Sequence, residues 1–112
     1  GEDENYIESP YSEKSFQDFI DNILSVQYSL YGKSMATSAE RNSLVSFMKN
    51  NGYTGVSALE SALSSSLAAL RACQAKGSFV QIYKDDLVQK AIDAVNDLDT
   101  ELNKAASWIV LQ

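Results

Sequence analysis

The sequence predicts an all-α protein in which four amphipathic helices, one shorter than the others, pack as an up-and-down bundle. Apolar residues recur at three- and four-residue spacings in four segments, which is the pattern of helices with one buried face. One proline and five glycines leave long stretches without a helix breaker. The short connections favour antiparallel neighbours. We expect one bundle domain over residues 11–112, preceded by a mobile polar lead-in over residues 1–10.

The first helix has three candidate starting points, because Ser9 before Pro10, Ser12 and Ser15 can each cap a helix. Gly32 is expected to end it. The apolar face of this helix consists of Phe16, Phe19, Ile20, Ile23, Leu24, Leu30 and Tyr31.

A second, shorter helix is predicted after Ser38, which can serve as its cap. Residues 50–52 (NNG) tolerate the left-handed conformation and are expected to end this helix. Its predicted apolar face consists of Leu44, Val45, Phe47 and Met48.

The third helix carries a leucine repeat and ends at Lys76 and Gly77. Ser57 and Glu60 have the spacing of a capping box, so the helix is expected to begin there. Residues 78–83 are expected to cross the end of the bundle as a short turn or irregular segment. The fourth helix is predicted to begin near Asp85 and Asp86 and to run for about 25 residues, or about 38 Å.

The charge of the chain limits its partners. Fifteen acidic and nine basic residues give a net charge of −6, and the basic residues are scattered. Such a surface repels phosphate backbones and anionic lipids, so we expect no nucleic acid partner. No run of 18 apolar residues is present, which predicts no membrane-spanning segment. The polar stretch after Gly1 is consistent with an export signal, or a lipid anchor, that was removed ahead of it.

The chain contains no histidine, which excludes serine or cysteine sites that use histidine, zinc sites with histidine ligands and Glu-x-x-His di-iron centres. Residues 64–66 (SSS) have no evident base near them in sequence and suggest a helix face of small residues. Cys73 is the single cysteine and is expected to pack as a small apolar residue. These observations argue against an enzyme and predict no cofactor.

Three carboxylates lie at four-residue intervals along the fourth helix, at Asp93, Asp97 and Glu101. Carboxylate oxygens are suitable ligands for calcium. However, a straight helix spreads these groups over about 12 Å, without a loop to surround an ion. We therefore interpret them as a solvated acidic face and predict no metal site.

Aromatic residues are the remaining candidates for a functional surface. They could form part of the core with their polar tips at its rim, or they could line a pocket or interface between helices. Core packing is the favoured interpretation. The candidates for a pocket or interface are Tyr28, Tyr31, Tyr53, Tyr83 and Trp108, and Phe47 and Phe79 belong to the same group.

Three short patterns occur at residues 26–32 (VQYSLYG), 42–45 (NSLV) and 91–98 (AIDAVNDL). Together they resemble the second half of the imelysin-like proteins. Residues 26–32 (VQYSLYG) are similar to that family's Ile-Arg-Asn-x-Tyr-x-Gly helix end, although Tyr28 replaces the asparagine. Residues 42–45 (NSLV) are similar to its Ser-Leu-x-x-Leu-Val segment, and residues 91–98 (AIDAVNDL) to the Ala-Ile-x-Ala-Leu stretch of its last helix. The resemblance covers residues 16–106, and none of the three stretches is a chemical motif.

The resemblance implies an exported bacterial protein of the periplasm or cell surface, connected with iron uptake or a surface lipoprotein system. The family's Gly-x-His-x-x-Glu motif is missing, so no functional residue can be carried over. We expect a non-catalytic bundle that binds a protein partner. One alternative is half of a peptidase or metal-binding protein whose site lies in an absent first domain, and an upstream reading frame with Gly-x-His-x-x-Glu would favour it. Another is a secreted helical adaptor.

Overall fold

The computed structural model describes residues 15–32 and 43–112, and within these ranges it is all-α, as predicted. Three long helices and one short helix form a bundle, and a single helical turn joins the last two long helices. In chain order the elements are α1 (Phe16–Tyr31), α2 (Leu44–Asn50), α3 (Val56–Lys76), α4 (Phe79–Ile82) and α5 (Asp86–Val110).

Helix α3 lies at the centre of the bundle, with α1 and α5 packed against it. The Gln74 amide donates a hydrogen bond to Gln17 near the start of α1, whereas Glu60 bonds to Tyr31 at its end. On the other side, Cys73 of α3 bonds to the backbone of Leu87 near the start of α5. Both neighbours of α3 are therefore antiparallel to it.

Local capping chemistry sets both ends of α1. The backbone N–H of Asp18 donates to the Ser15 hydroxyl, and the Ser15 N–H donates to the Asp18 carboxylate, which together form a capping box. Ser15 is thus the cap among the three predicted serines, while Ser9 and Ser12 lie outside the described residues, as does the predicted lead-in. Gly32 ends the helix at a φ of 84°, a conformation that favours glycine.

Helix α2 begins after Ser43, whose hydroxyl accepts a hydrogen bond from the backbone of Ser46. The predicted cap Ser38 lies outside the described residues. The predicted apolar face was only half right. Val45 and Met48 are fully buried, but Leu44 and Phe47 are exposed by 43% and 40%. The helix packs against α1 and α3, and on its outer side only the Trp108 ring of α5 is recorded beside Phe47 among the described residues, so Leu44 and part of Phe47 stay accessible.

The predicted capping box at Ser57 was wrong. The cap of α3 is Gly55, and Val56, only 6% exposed, is already helical, so Ser57 lies inside the first turn. Burial of Val56 favours the earlier start. Glu60 is thereby left without a capping role and instead accepts a hydrogen bond from Tyr31.

The segment between α3 and α5 is a short turn, the first of the two predicted forms, and within it Phe79–Ile82 is helical. Gln81 stabilises this turn by accepting a hydrogen bond from the backbone N–H of Ser78. Helix α5 begins where predicted, because the Asp85 carboxylate accepts from the backbone N–H of Leu87. Its 25 residues also match the prediction.

The core runs along α3 and fills the spaces on both of its sides. The most deeply buried side chains are Val45, Met48, Leu59, Ser66, Cys73 and Leu98.

No helix in the described ranges has the length and apolar character needed to cross a membrane.

Candidate functional site

Large apolar side chains are exposed mainly at one end of the bundle, where α1 and α5 finish, α2 crosses and α3 begins. Leu44 and Phe47 lie on the outer side of α2, and Leu111, 83% exposed, follows α5. Trp108 is partly buried beside Phe47. We call Leu44, Phe47, Trp108 and Leu111 the end patch.

Aromatic rings hold the end patch together. The ring centroids of Phe47 and Trp108 are 6.0 Å apart in an edge-on arrangement, and those of Tyr53 and Trp108 are 5.1 Å apart. These separations and tilts are favourable for aromatic pairs. The structure thus brings together two of the predicted site residues, Tyr53 and Trp108, and adds Phe47 from the same aromatic group.

The loop between α2 and α3 positions Tyr53. Its backbone N–H donates to the carbonyl of Met48, and Gly52 makes the preceding turn at a φ of 83°. Its ring lies against Gly55, where a Cβ atom would come within 2.5 Å of the ring. Glycine is therefore required at position 55 for the ring to occupy this place.

Tyr31, in the last turn of α1, stabilises the same end of the bundle from within the core. It is only 8% exposed, and its hydroxyl donates to the Glu60 carboxylate. The Lys49 ammonium lies 3.7 Å from the other oxygen of Glu60, so the contact joins α1, α2 and α3. Burial, reinforced by the hydrogen bond and the charge of Glu60, raises the pKa of Tyr31 well above its ordinary value.

The other two predicted site residues make no ring contact with the end patch among the described residues. Tyr28 is on α1 and is 54% exposed. Tyr83 lies at the opposite end of the bundle, after α4, where the Lys84 ammonium is 5.5 Å from the centre of its ring. The five predicted residues therefore do not form one site.

A wide groove of about 540 Å³ runs between α3 and α5. Small side chains line the α3 side, and charged and polar side chains line the α5 side. The lining residues are Ala58, Ser61, Ala62 and Ser65 from α3, and Lys90, Asp93, Ala94, Asp97, Thr100 and Glu101 from α5.

The acidic row predicted on α5 forms one wall of this groove. Asp93 accepts a hydrogen bond from Gln89, and Glu101 pairs with Lys104 at 3.4 Å. In the part of the chain that the structure describes, no three ligand-type side chains are arranged to hold a metal ion. The groove is thus an open acidic surface on two helices.

A smaller apolar groove of about 180 Å³ lies between α1, α3 and α5. Leu70, Val88 and Val95 are among its lining residues, together with Ile92, which is 46% exposed. Helix α1 follows α3 more closely than it follows α5, which leaves this part of the α5 face accessible.

Two buried groups that resemble nucleophiles, Ser66 and Cys73, lie in the packed interface between α3 and α5. The Ser66 hydroxyl donates to the carbonyl of Ala62 and lies 3.0 Å from that of Ala94. The Cys73 thiol bonds to the carbonyl of Leu87. Burial, and secondarily the charge of Asp85, raises the pKa of this thiol, which opposes formation of the reactive thiolate.

Comparisons of the chain with protein-family models, with curated proteins and with solved structures give no match.

Proposed function

We propose that this protein is a non-catalytic helical bundle that binds a protein partner through its end patch. The observation that carries the proposal is the exposure of Leu44, Phe47 and Leu111 at the end of the bundle where Trp108 lies partly buried beside Phe47. Large aromatic and aliphatic side chains that remain in water at one place are typical of interaction surfaces.

The arrangement of the end patch favours binding in which a partner covers its apolar side chains. The ring contacts of Trp108 with Phe47 and Tyr53 hold it in place, so little side-chain entropy would be lost when a partner covers it. Tryptophan is also among the residues that contribute most to binding energy at interfaces. Lys104, one turn before Trp108 on α5, would form part of a polar rim.

The chemistry of the chain supports a binding role over catalysis. A chain without histidine lacks the most frequent general base. Ser66 and Cys73, the buried hydroxyl and thiol in the α3–α5 interface, are both occupied in hydrogen bonds to backbone carbonyls.

We further propose that the partner belongs to an extracytoplasmic iron-uptake or surface lipoprotein system, as the resemblance to imelysin-like proteins implies. This part of the proposal depends on the pattern of residues 26–32, 42–45 and 91–98. The full gene and its neighbours test it. A reading frame that extends upstream into a Gly-x-His-x-x-Glu motif would contradict the non-catalytic role.

Photo-crosslinking tests the end patch directly. A photoreactive amino acid is placed at Leu44, and, as a matched control, at the exposed Ala72 near the far end of α3. In an envelope extract of the source organism, we expect a discrete adduct from position 44 and none from position 72. The additional substitution Leu111→Ser should remove the adduct without unfolding the protein, since Leu111 is 83% exposed. The same adduct from both positions, or no adduct, would contradict the proposal.

A further inference from the structure

We infer that the partner segment is a cationic amphipathic helix, which lies along the α3–α5 groove and places an apolar side chain on the end patch. The inference rests on the proposed function and specifies the chemistry of the partner. Three features support it: the alignment of the groove with Trp108, the imbalance of charge in the groove, and the small side chains on its α3 side.

The groove and the end patch lie on the same face of α5. Residues 97, 101 and 108 are separated by four and seven positions, which places them within about 40° of one another around the helix. Asp97 and Glu101 line the groove, and Trp108 contacts Phe47 in the end patch. From Asp93 to Trp108 this face extends for about 22 Å. A partner helix of about 15 residues could contact both regions at once.

The charge along this face favours a cation. Three carboxylates line the groove, whereas the ammonium of Lys90 is the single positive charge among its lining residues. Glu101 has Lys104 as a neighbour, but neither Asp93 nor Asp97 forms a salt bridge among the described residues. A basic segment would therefore meet unneutralised carboxylates, while an acidic segment would be repelled.

The α3 side of the groove allows a helix to approach closely. Ala58, Ser61, Ala62 and Ser65 present small side chains along one side of α3. Such residues let a neighbouring backbone come near without a clash, as at other close helix contacts. The groove therefore accommodates a helix with small residues on its inner side, basic residues towards α5 and an apolar residue at one end.

The inference is tested with two synthetic helical peptides and the whole chain. One peptide carries three lysines spaced to meet Asp93, Asp97 and Glu101 and a leucine placed to meet the end patch, and the other has glutamates in place of the lysines. Trp108 is the single tryptophan, so its fluorescence reports binding at the end patch. We expect the lysine peptide to bind at least tenfold more tightly than the glutamate peptide at low salt, and to weaken strongly on addition of salt.

A pair of double variants locates the binding site. Asp93→Asn with Asp97→Asn removes two groove carboxylates and should weaken binding of the lysine peptide at least threefold. Asp21→Asn with Asp99→Asn removes the same charge from outside the groove and should leave binding unchanged. The two pairs are matched, because Asp93 and Asp21 each accept a hydrogen bond from a glutamine one turn earlier. Circular dichroism confirms that both variants are folded.

Several outcomes would overturn the inference. The first is equal binding of the two peptides, and the second is equal weakening of binding by the two double variants. The third is concentration-dependent self-association that is lost with Leu111→Ser. That result would assign the end patch to a second copy of the chain. If the adduct from position 44 forms while the lysine peptide fails to bind, the inference fails and the proposed function stands. If neither the adduct from position 44 nor binding of the lysine peptide is seen, the inference and the proposed function both fail.

Discussion

The Tyr31 hydroxyl donates a hydrogen bond to the Glu60 carboxylate and so connects the end of α1 to the first turns of α3. The Lys49 ammonium of α2 lies 3.7 Å from the same carboxylate. This contact supports the end of the bundle that carries the end patch, because α2 presents Phe47 and the start of α3 follows Tyr53. The stability of this contact and the geometry of the proposed binding surface are therefore linked.

Replacing Tyr31 with phenylalanine should lower the free energy of unfolding by about 1 kcal/mol. The phenylalanine ring would still fill the buried space. The Glu60 carboxylate would lose the hydrogen bond from the tyrosine hydroxyl and would accept one from water instead. Urea denaturation followed by circular dichroism measures the change. Tyr28→Phe is the matched control, because Tyr28 is on the same helix and is 54% exposed. Equal stability of the two variants would show that the hydrogen bond contributes nothing.

Alkaline pH should destabilise the protein through the same tyrosine. The folded-state pKa of Tyr31 is raised, so its contribution is complete below the ordinary tyrosine pKa of about 10. Above that pH the unfolded chain releases a proton that the folded chain retains, and stability falls as pH rises towards the folded-state pKa. Unfolding midpoints measured across this range should fall more steeply for the wild type than for Tyr31→Phe. Parallel curves would contradict the assignment.

The sequence predicted the helix ends where the signal is local. Gly32 ends α1 and Asp85 caps α5, because a left-handed turn and a carboxylate beside free N–H groups need only neighbouring residues. At Ser57 the local signal was misleading, since burial of Val56 against the bundle starts α3 earlier. Tertiary packing thus prevailed over the local capping signal.

The end patch was only partly predictable. Tyr53 and Trp108 were identified as candidates, but their contact depends on the antiparallel packing of α5 against α3. The exposure of Leu44 and Phe47 could not be read from the spacing, because a seven-residue helix at the end of a bundle buries only one side. The role of Glu60 was also missed, as its partner Tyr31 is on another helix.

Ser66 lies at a tightly packed contact between α3 and α5. It is fully buried, and its hydroxyl lies 3.0 Å from the carbonyl of Ala94. Ser66→Leu would force a larger side chain into this contact and should cost about 1–3 kcal/mol of stability. The matched control is Ser64→Leu, since Ser64 is exposed on the same helix and should change stability by less than about 0.5 kcal/mol. A Ser66→Leu protein as stable as the control would contradict this packing.

Cys73 should be unreactive in the folded protein. Its thiol is fully buried, and burial raises its pKa, so both access and thiolate formation are disfavoured. With a disulfide reagent at mildly alkaline pH, we expect reaction only as fast as the protein unfolds, and rapid reaction in denaturant. The control is an exposed cysteine on the same helix, Ser64→Cys combined with Cys73→Ala, which should react at once in the folded state. Rapid modification of native Cys73 would show that the end of α3 opens from α5 far more often than the packing around Leu87 implies.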